Sequence, residues 1–168
     1  MKNRPVYLSG FMGCGKSTVG VLLARKLGAE LIDLDEYIEK SEGMSIPEIF
    51  AGRGEAYFRA AESAALKGFS GKGCIVAAGG GALISEENGA AAMAAGEVVF
   101  IDTPFEICYD RIKNDPHRPI AAASDEAQLK ARYDQRRPHY LAHSTITVDG
   151  NRTPGEIADE IAEKLDRR

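Results

Sequence analysis

The chain has 168 residues and a mass of 18.1 kDa, a size that predicts a single domain over residues 1–168. Apolar residues make up 44% of it, enough to build a sizeable core, which excludes wholesale disorder. Lys and Arg number 21 against 25 Asp and Glu, and the net charge of −4 argues against a general nucleic-acid binder. No apolar run reaches the ~18 residues that a membrane span needs, so we expect a cytoplasmic protein without membrane contact.

Five short apolar runs predict β-strands, at residues 6–8, 31–32, 74–78, 98–101 and 145–148. The run at 98–101 is continuously apolar, as is typical of a strand buried on both faces. Helical patterns lie between the strands, and strands that alternate with helices favour parallel pairing. The sequence therefore predicts an α/β fold of three layers, with helices on both faces of a five-stranded parallel sheet.

Helices are predicted at residues 19–27, 53–66, 86–95 and 125–137, and Gly28 ends the first of them. The segments 45–48, 103–106 and 153–156 match the capping box, in which a hydroxyl residue and a glutamate three positions later satisfy backbone N–H groups at a helix start. Residues 114–124 break the pattern, since Pro116 and Pro119 end any helix there. That segment is either an inert surface loop or a lid.

Residues 10–17 read Gly-Phe-Met-Gly-Cys-Gly-Lys-Ser and match the phosphate-binding motif G-x-x-x-x-G-K-[ST], between a predicted strand and a predicted helix. Glycines let successive backbone N–H groups turn toward phosphate oxygens, and the helix start adds its positive dipole end. Lys16 is expected to reach the β- and γ-phosphates, and the Ser17 hydroxyl to bind Mg²⁺. No Asn-Lys-x-Asp guanine motif occurs, and the short chain fits a metabolite kinase better than a motor.

Two aspartates, Asp33 and Asp35, follow the second strand, and on an extended segment residues i and i+2 share a face. Both carboxylates are therefore expected to line one site at the carboxyl end of the sheet, where parallel sheets bind ligands. For Asp33 the alternative is a helix N-cap. For Arg59 and Arg136, whose guanidinium groups suit a carboxylate ligand, the alternative is a solvated helix face.

Taken together, these pieces resemble the shikimate kinase family over nearly the whole chain. The segments that carry the resemblance are 10–17, 32–35, 54–59, 79–81, 118–119 and 136–140. The resemblance implies a P-loop kinase whose substrates are ATP and shikimate and whose cofactor is Mg²⁺. It implies transfer of a phosphoryl group to the 3-hydroxyl of shikimate, in the route to aromatic amino acids.

The resemblance also implies a role for particular residues. It assigns nucleotide binding to Gly13, Cys14, Gly15, Lys16, Ser17, Thr18, Arg111, Arg118 and Arg152. Substrate binding falls to Asp35, Arg59, Gly79, Gly80, Gly81 and Arg136, and metal binding to Ser17 and Asp33. The catalytic residues implied are Lys16, Asp35 and Arg118. A mobile lid is implied at about 114–124 and a substrate-binding helical region at about 35–66.

Some features leave alternatives open. Arg137 stands beside Arg136, so the register of the substrate arginine is ambiguous, although the R-x-P-x-Y spacing favours Arg136. His117, His139 and His143 are expected to be surface or loop residues, and the thiol of Cys14 to face away from phosphate. Two rival functions remain, another metabolite kinase such as a gluconate kinase, and a nucleotide-binding module without catalysis. The default expectation for oligomeric state is a monomer.

Overall fold

A computed structural model describes residues 4–113 and 125–168 of the chain. Five parallel strands pair in the order β2-β3-β1-β4-β5. Their bounds are β1 Val6–Ser9, β2 Glu30–Asp33, β3 Cys74–Ala77, β4 Glu97–Asp102 and β5 Ile146–Asp149. The predicted α/β fold with a five-stranded parallel sheet is confirmed.

Eight helices lie in the described residues. They are α1 Lys16–Leu27, α2 Leu34–Glu42, α3 Ile46–Arg53, α4 Glu55–Gly68, α5 Glu86–Ala95, α6 Phe105–Ile112, α7 Glu126–Ala142 and α8 Pro154–Asp166. None of them has the length and hydropathy to cross a membrane. Residues 35–66 span α2, α3 and α4 with the short connections at 43–45 and 54. The assignment of the chain to a single domain stays a prediction.

The central strand β1 shows how the sheet is covered on both faces. Val6 and Leu8 pack on one face in a cluster with residues of α1 and α8 such as Leu23 and Ile161. Tyr7 points to the other face, into a cluster that residues of α2 to α5 complete. Because successive strand residues point to opposite faces, a strand buried on both faces is apolar throughout.

Two of the three predicted capping boxes form, at Ser45 before α3 and at Thr153 before α8. The prediction at Thr103 is wrong, because α6 begins after Pro104 and has no side-chain cap among the described residues. The buried Thr103 hydroxyl instead donates to the carbonyl oxygen of Cys14 at 3.1 Å. It thereby ties the end of β4 to the phosphate-binding loop.

Helix bounds differ from the sequence expectation at two other places. The predicted helix 53–66 is interrupted at Gly54, which has φ of +85° and separates α3 from α4. The helix predicted to end at Arg137 continues as α7 through Pro138 to Ala142. Proline removes only its own N–H, and the bond from the His143 N–H to the His139 carbonyl at 2.9 Å still forms beyond it. Burial of Tyr140 against the core further stabilises that last turn.

Candidate active site

The predicted phosphate-binding loop connects β1 to α1 and presents an uncapped helix start. Gly13 and Gly15 have φ of +80° and +102°, left-handed values that favour glycine. A β-carbon at Gly13 would lie 2.8 Å from the Cys108 carbonyl oxygen, so the loop packs tightly against α6. Gly15 caps α1 without a side-chain hydrogen bond among the described residues, and the first turn carries no acidic side chain. Such a helix start is suited to an anion.

Lys16 lies folded over this loop. Its Nζ donates to the carbonyl oxygens of Gly10 at 2.7 Å and Phe11 at 3.1 Å. The Cys14 thiol is buried, with Sγ 3.6 Å from the same Nζ, so the backbone of Cys14 rather than its thiol faces outward. The Lys16 ammonium therefore lies at the loop whose motif predicts phosphate binding.

A cleft of about 290 Å³ opens beside the loop at the carboxyl ends of β1, β2 and β3. It brings together most residues that the sequence assigned to a nucleotide with several assigned to the substrate and metal. The predicted site residues that line it are Gly13, Gly15, Lys16, Ser17, Thr18, Asp33, Asp35, Gly79, Gly80 and Arg111. This position matches the rule that parallel sheets bind ligands at their carboxyl edge.

Asp33 forms the helix N-cap that was the alternative for it, and it also lines the cleft. It ends β2 and caps α2, since its Oδ1 accepts from the N–H groups of Asp35 at 3.0 Å and Glu36 at 3.1 Å. The assumption of an extended segment from Asp33 to Asp35 is wrong, because α2 begins at Leu34. The two carboxylates nevertheless line the same cleft.

Asp35 is the more perturbed of the two carboxyl groups. Burial, above all, and the neighbouring Asp33 raise its pKa, while Lys16 and Arg59 oppose the rise. A carboxylate whose pKa is raised by burial and that lies in a cleft is a candidate proton acceptor.

The three glycines that follow β3 each face a different charged side chain. A β-carbon at Gly79 would lie 3.1 Å from Asp35 Oδ1, and one at Gly81 would lie 3.0 Å from Arg59 Nη1. At Gly80 it would lie 3.5 Å from Arg136 Nη1. The turn thus converges with three predicted substrate residues from three different helices, and larger side chains there would crowd them.

Arg59 is held by a residue that the sequence reasoning missed. Its Nη1 donates to Glu62 Oε1 at 2.9 Å, and its Nη2 lies 3.6 Å from Glu55 Oε1. Glu62 is only 2% exposed, and burial raises its pKa while the hydrogen bond from Arg59 lowers it. The available signal was the helical spacing i, i+3, which puts Glu62 beside Arg59.

The structure separates the adjacent arginines of α7. Arg136 Nη1 donates to the Gly80 carbonyl oxygen at 3.2 Å and so points to the turn after β3. Arg137 binds Asp102 at two points, with Nε to Oδ1 at 3.0 Å and Nη2 to Oδ2 at 2.6 Å. Of the two, Arg136 is therefore the one that reaches the glycine turn, although it does not itself line the cleft.

The remaining arginines and histidines are placed differently. Arg111 Nη1 donates to the Gly13 carbonyl at 2.9 Å, at the edge of the cleft. Arg152 is exposed and pairs with Glu160 at 2.5 Å, so the structure does not bring it to the cleft. His143 lies in the turn after α7, consistent with the expected loop position, and it is buried. Arg118 and His117 lie outside the described residues.

A parallel sheet, a phosphate-binding loop at its edge, a cleft lined by carboxylates, and arginines at the glycine turn that borders the cleft define a P-loop kinase of a small molecule. A model of the family described as shikimate kinase matches residues 12–166. The chain belongs to the shikimate kinase family and is an ATP-dependent kinase.

Individual relatives agree with this assignment. The shikimate kinase of Persephonella marina is 40% identical over 164 residues, which cover 96% of this chain and 99% of that protein. The structure of shikimate kinase from Acinetobacter baumannii in complex with shikimate aligns with a TM-score of 0.89 at 32% identity, over 98% of this chain and 94% of that one. A gluconokinase from Sinorhizobium meliloti aligns over 99% of this chain and 93% of that one, with a TM-score of 0.64 at 16% identity, which shows a shared fold alone.

Proposed function

We propose that the protein transfers the γ-phosphoryl group of ATP to the 3-hydroxyl of shikimate, giving shikimate 3-phosphate and ADP. The observation that carries this proposal is the convergence of Asp35, Arg59 and Arg136 on the glycine turn 79–81, beside the phosphate-binding loop. The turn thus places two arginines, for a carboxylate, next to a cleft that Asp35 lines and in which it can meet a hydroxyl group.

The nucleotide would bind at the start of α1. N–H groups of residues 13–18 surround its phosphates, and Lys16 exchanges its carbonyl partners in the loop for β- and γ-phosphate oxygens. Arg111, which borders both Gly13 and Gly15, would contact the nucleoside side of the ligand. The contribution implied for Arg152 would require it to leave Glu160.

Shikimate would bind with its carboxylate toward the glycine turn. Arg59 and Arg136 approach that turn from two helices, and guanidinium groups bind carboxylates at two points. Asp35 would orient the 3-hydroxyl and accept its proton as the oxygen attacks the γ-phosphorus and ADP leaves. Arg118 would stabilise the charge on the transferred group, a role assigned from the sequence alone.

A kinase that uses ATP requires a divalent metal, and we propose Mg²⁺. The Ser17 hydroxyl and the Asp33 carboxylate are the oxygen ligands that Mg²⁺ prefers, and both line the cleft. Within residues 4–113 and 125–168, no cluster of three His, Cys, Asp or Glu side chains could hold a metal. Sharing of the ion with phosphate oxygens and water is the usual arrangement for Mg²⁺. When bound, the ion would neutralise charge on the polyphosphate.

The proposal extends to a cytoplasmic enzyme that acts as a monomer. Its substrate specificity is tested by ADP release from MgATP with shikimate, gluconate or a nucleoside monophosphate as acceptor. We expect turnover with shikimate alone. Binding of ATP without turnover of any acceptor would favour the module without catalysis instead.

Substrate placement is tested separately with Arg59→Lys. Lysine keeps the charge but loses the planar, two-point geometry, so we expect mainly a higher KM for shikimate. A larger rise in the KM for ATP would contradict this placement.

A further inference from the structure

Side chains from other elements hold the backbone of the turn after β3 from the outside. Tyr140 donates from its hydroxyl to the Gly80 carbonyl oxygen at 2.6 Å. Asn88 donates from Nδ2 to the Ala82 carbonyl oxygen at 2.9 Å, and His143 Nδ1 lies 2.8 Å from the Leu83 carbonyl oxygen. Three carbonyl groups in four residues are thus tied to α5 and α7.

External support matters because of the composition of the turn. Residues 79–81 are all glycine, and glycine has the largest backbone freedom of any residue. Within the turn, the backbone bonds are Ala82 N–H to the Gly79 carbonyl at 3.1 Å and Ile84 N–H to the Gly81 carbonyl at 3.4 Å. Two such bonds leave much of the conformation to be fixed by neighbouring elements.

Asn88 connects this turn to the helix that carries Arg59. It is 5% exposed, and its Oδ1 accepts from the Ser63 hydroxyl at 2.7 Å while its Nδ2 holds Ala82. Ser63 follows Glu62, the buried partner of Arg59, on α4. The Asn88 side chain therefore links the glycine turn to α4, the helix that carries Arg59.

His143 is fitted into a space that Gly89 leaves open. A β-carbon at Gly89 would lie 2.3 Å from the His143 ring carbon Cγ, so the ring packs directly on the backbone of α5. Because a carbonyl oxygen can only accept, the ring carries its proton on Nδ1 when it bonds Leu83. His143 follows the last residue of α7, the helix that also carries Arg136.

We propose that Asn88 and His143 are positioning residues for the acceptor substrate. They hold the glycine turn with its N–H groups and its charged neighbours in the arrangement that binds the substrate carboxylate. Neither touches the reacting atoms. The inference rests on the proposed function, because it concerns the same carboxylate site.

Loss of either anchor lets the turn adopt other conformations, and substrate binding must then order it again. The apparent affinity for the acceptor is then lowered in proportion to the fraction of molecules whose turn already has the binding conformation. The turn borders the same cleft through Gly79 and Gly80, but none of the residues assigned to the nucleotide lies in it. We therefore expect a higher KM for shikimate with little change in the KM for ATP.

The main test compares His143→Leu with His143→Asn, since the asparagine Nδ2 can replace the Nδ1 donor and leucine cannot. For His143→Leu we expect the KM for shikimate to rise about threefold to tenfold, the change that corresponds to one net hydrogen bond. His143→Asn should restore most of the loss. The matched control is His139→Leu, because His139 is exposed and lies one helical turn earlier on α7. We expect this variant to have the wild-type KM for shikimate and for ATP.

A second readout, amide hydrogen exchange of residues 79–84 without ligands, does not require turnover. We expect faster exchange in His143→Leu and Asn88→Ala than in the wild type and in His139→Leu. If Asn88→Ala does not fold, Ser63→Ala removes only the link to α4 and should give a smaller increase.

The outcomes separate the two proposals. Unchanged exchange in folded variants, or faster exchange with an unchanged KM for shikimate, would overturn the positioning role. Equal rises in both KM values would do the same, because they would indicate a general loss of structure. A wild-type enzyme that does not phosphorylate shikimate would overturn the proposed function and the substrate role, while exchange would still decide whether the anchors hold the turn.

Discussion

Arg59 rests on Glu62, whose buried Oε1 accepts a hydrogen bond from Nη1 at 2.9 Å. The arginine side chain itself is 41% exposed, so its inner face is fixed while its outer face is available to a ligand. This charge-assisted bond restricts the rotamers of Arg59 before a ligand arrives, so less side-chain entropy is lost when the ligand binds.

Glu62→Gln should therefore raise the KM for shikimate about tenfold, since bonds to charged groups contribute about 1.5–3 kcal/mol. We expect the KM for ATP to change little, because the contacts of Arg59 are with Glu62, Glu55 and Gly81, none of which is assigned to the nucleotide. Glu55→Gln is the matched control, because Glu55 is an exposed carboxylate 3.6 Å from the same guanidinium. Equal effects of the two variants would show that burial of Glu62 is irrelevant to Arg59.

Gly81→Ala should also impair shikimate binding. The new β-carbon would lie 3.0 Å from Arg59 Nη1, and the end of a flexible side chain can move away. We therefore expect a folded protein with a displaced guanidinium and a KM for shikimate raised about tenfold, comparable to loss of one charged hydrogen bond. Gly68→Ala on α4 meets no atom within 4 Å among the described residues and serves as the control in the same steady-state assay.

Activity should fall on acidification at a higher pH than an ordinary aspartate would give. Burial and Asp33 raise the pKa of Asp35 above 3.8, and only its ionised form accepts a proton. The pH profile of kcat/KM for shikimate measures this pKa in the unliganded enzyme. Glu39 also raises the pKa of Asp35, so Glu39→Gln should move the acid limb of the profile to lower pH. An acid limb that stays at the same pH in this variant would show that a group other than Asp35 causes it.

The same pKa has a consequence for stability with a definite sign. The folded state binds a proton on Asp35 more readily than the unfolded state, so stability decreases as pH rises from 3.8 through the raised pKa. Above that window Asp35→Asn should be more stable than the wild type, as measured by urea unfolding. Below it the difference should vanish.

Lys16→Ala should abolish turnover and weaken ATP binding about 10- to 100-fold, the loss of one to two charge-assisted bonds. Calorimetric titration with MgATP gives the affinity directly. Lys26→Ala, at the exposed end of the same helix, is the control. Near-normal activity of Lys16→Ala would refute the phosphate-binding loop.

Arg118, which lies outside the described residues, carries a prediction from the sequence alone. Arg118→Ala should lower kcat on the order of 10³-fold, which corresponds to about 4 kcal/mol of barrier. Dissociation constants should change little, since the charge it meets develops during transfer. The measurement is the rate of single-turnover phosphoryl transfer at saturating MgATP and shikimate. A rate within about twofold of that of the wild type would indicate that Arg118 is an ordinary surface residue.

The sequence alone predicted the features that depend on short stretches of chain. The phosphate-binding loop, the five strands and the glycine turn each follow from local composition, and the parallel sheet follows from their alternation with helices. The start of α2 at Leu34 and the break at Gly54 were not predicted. The φ of +85° at Gly54 favours glycine, but a glycine in the sequence does not by itself show that its φ is positive. The end of α7 was predicted too early, at Arg137, because Pro138 is a local helix breaker. In the structure, packing outweighs this local preference and the helix continues to Ala142.

Tertiary structure alone decided which side chains meet. Arg136 and Arg137 are neighbours in sequence, but successive helix residues point about 100° apart, so one reaches Gly80 and the other Asp102. Tyr140 holds α7 in this rotation, since its buried ring stacks on Phe100 and its hydroxyl donates to the Gly80 carbonyl oxygen. The i, i+3 spacing to Arg59 was a local signal for Glu62, but Asn88 and His143 had none, for the same reason. Their partners are fixed by how the helices pack on the sheet, and no local pattern encodes that packing.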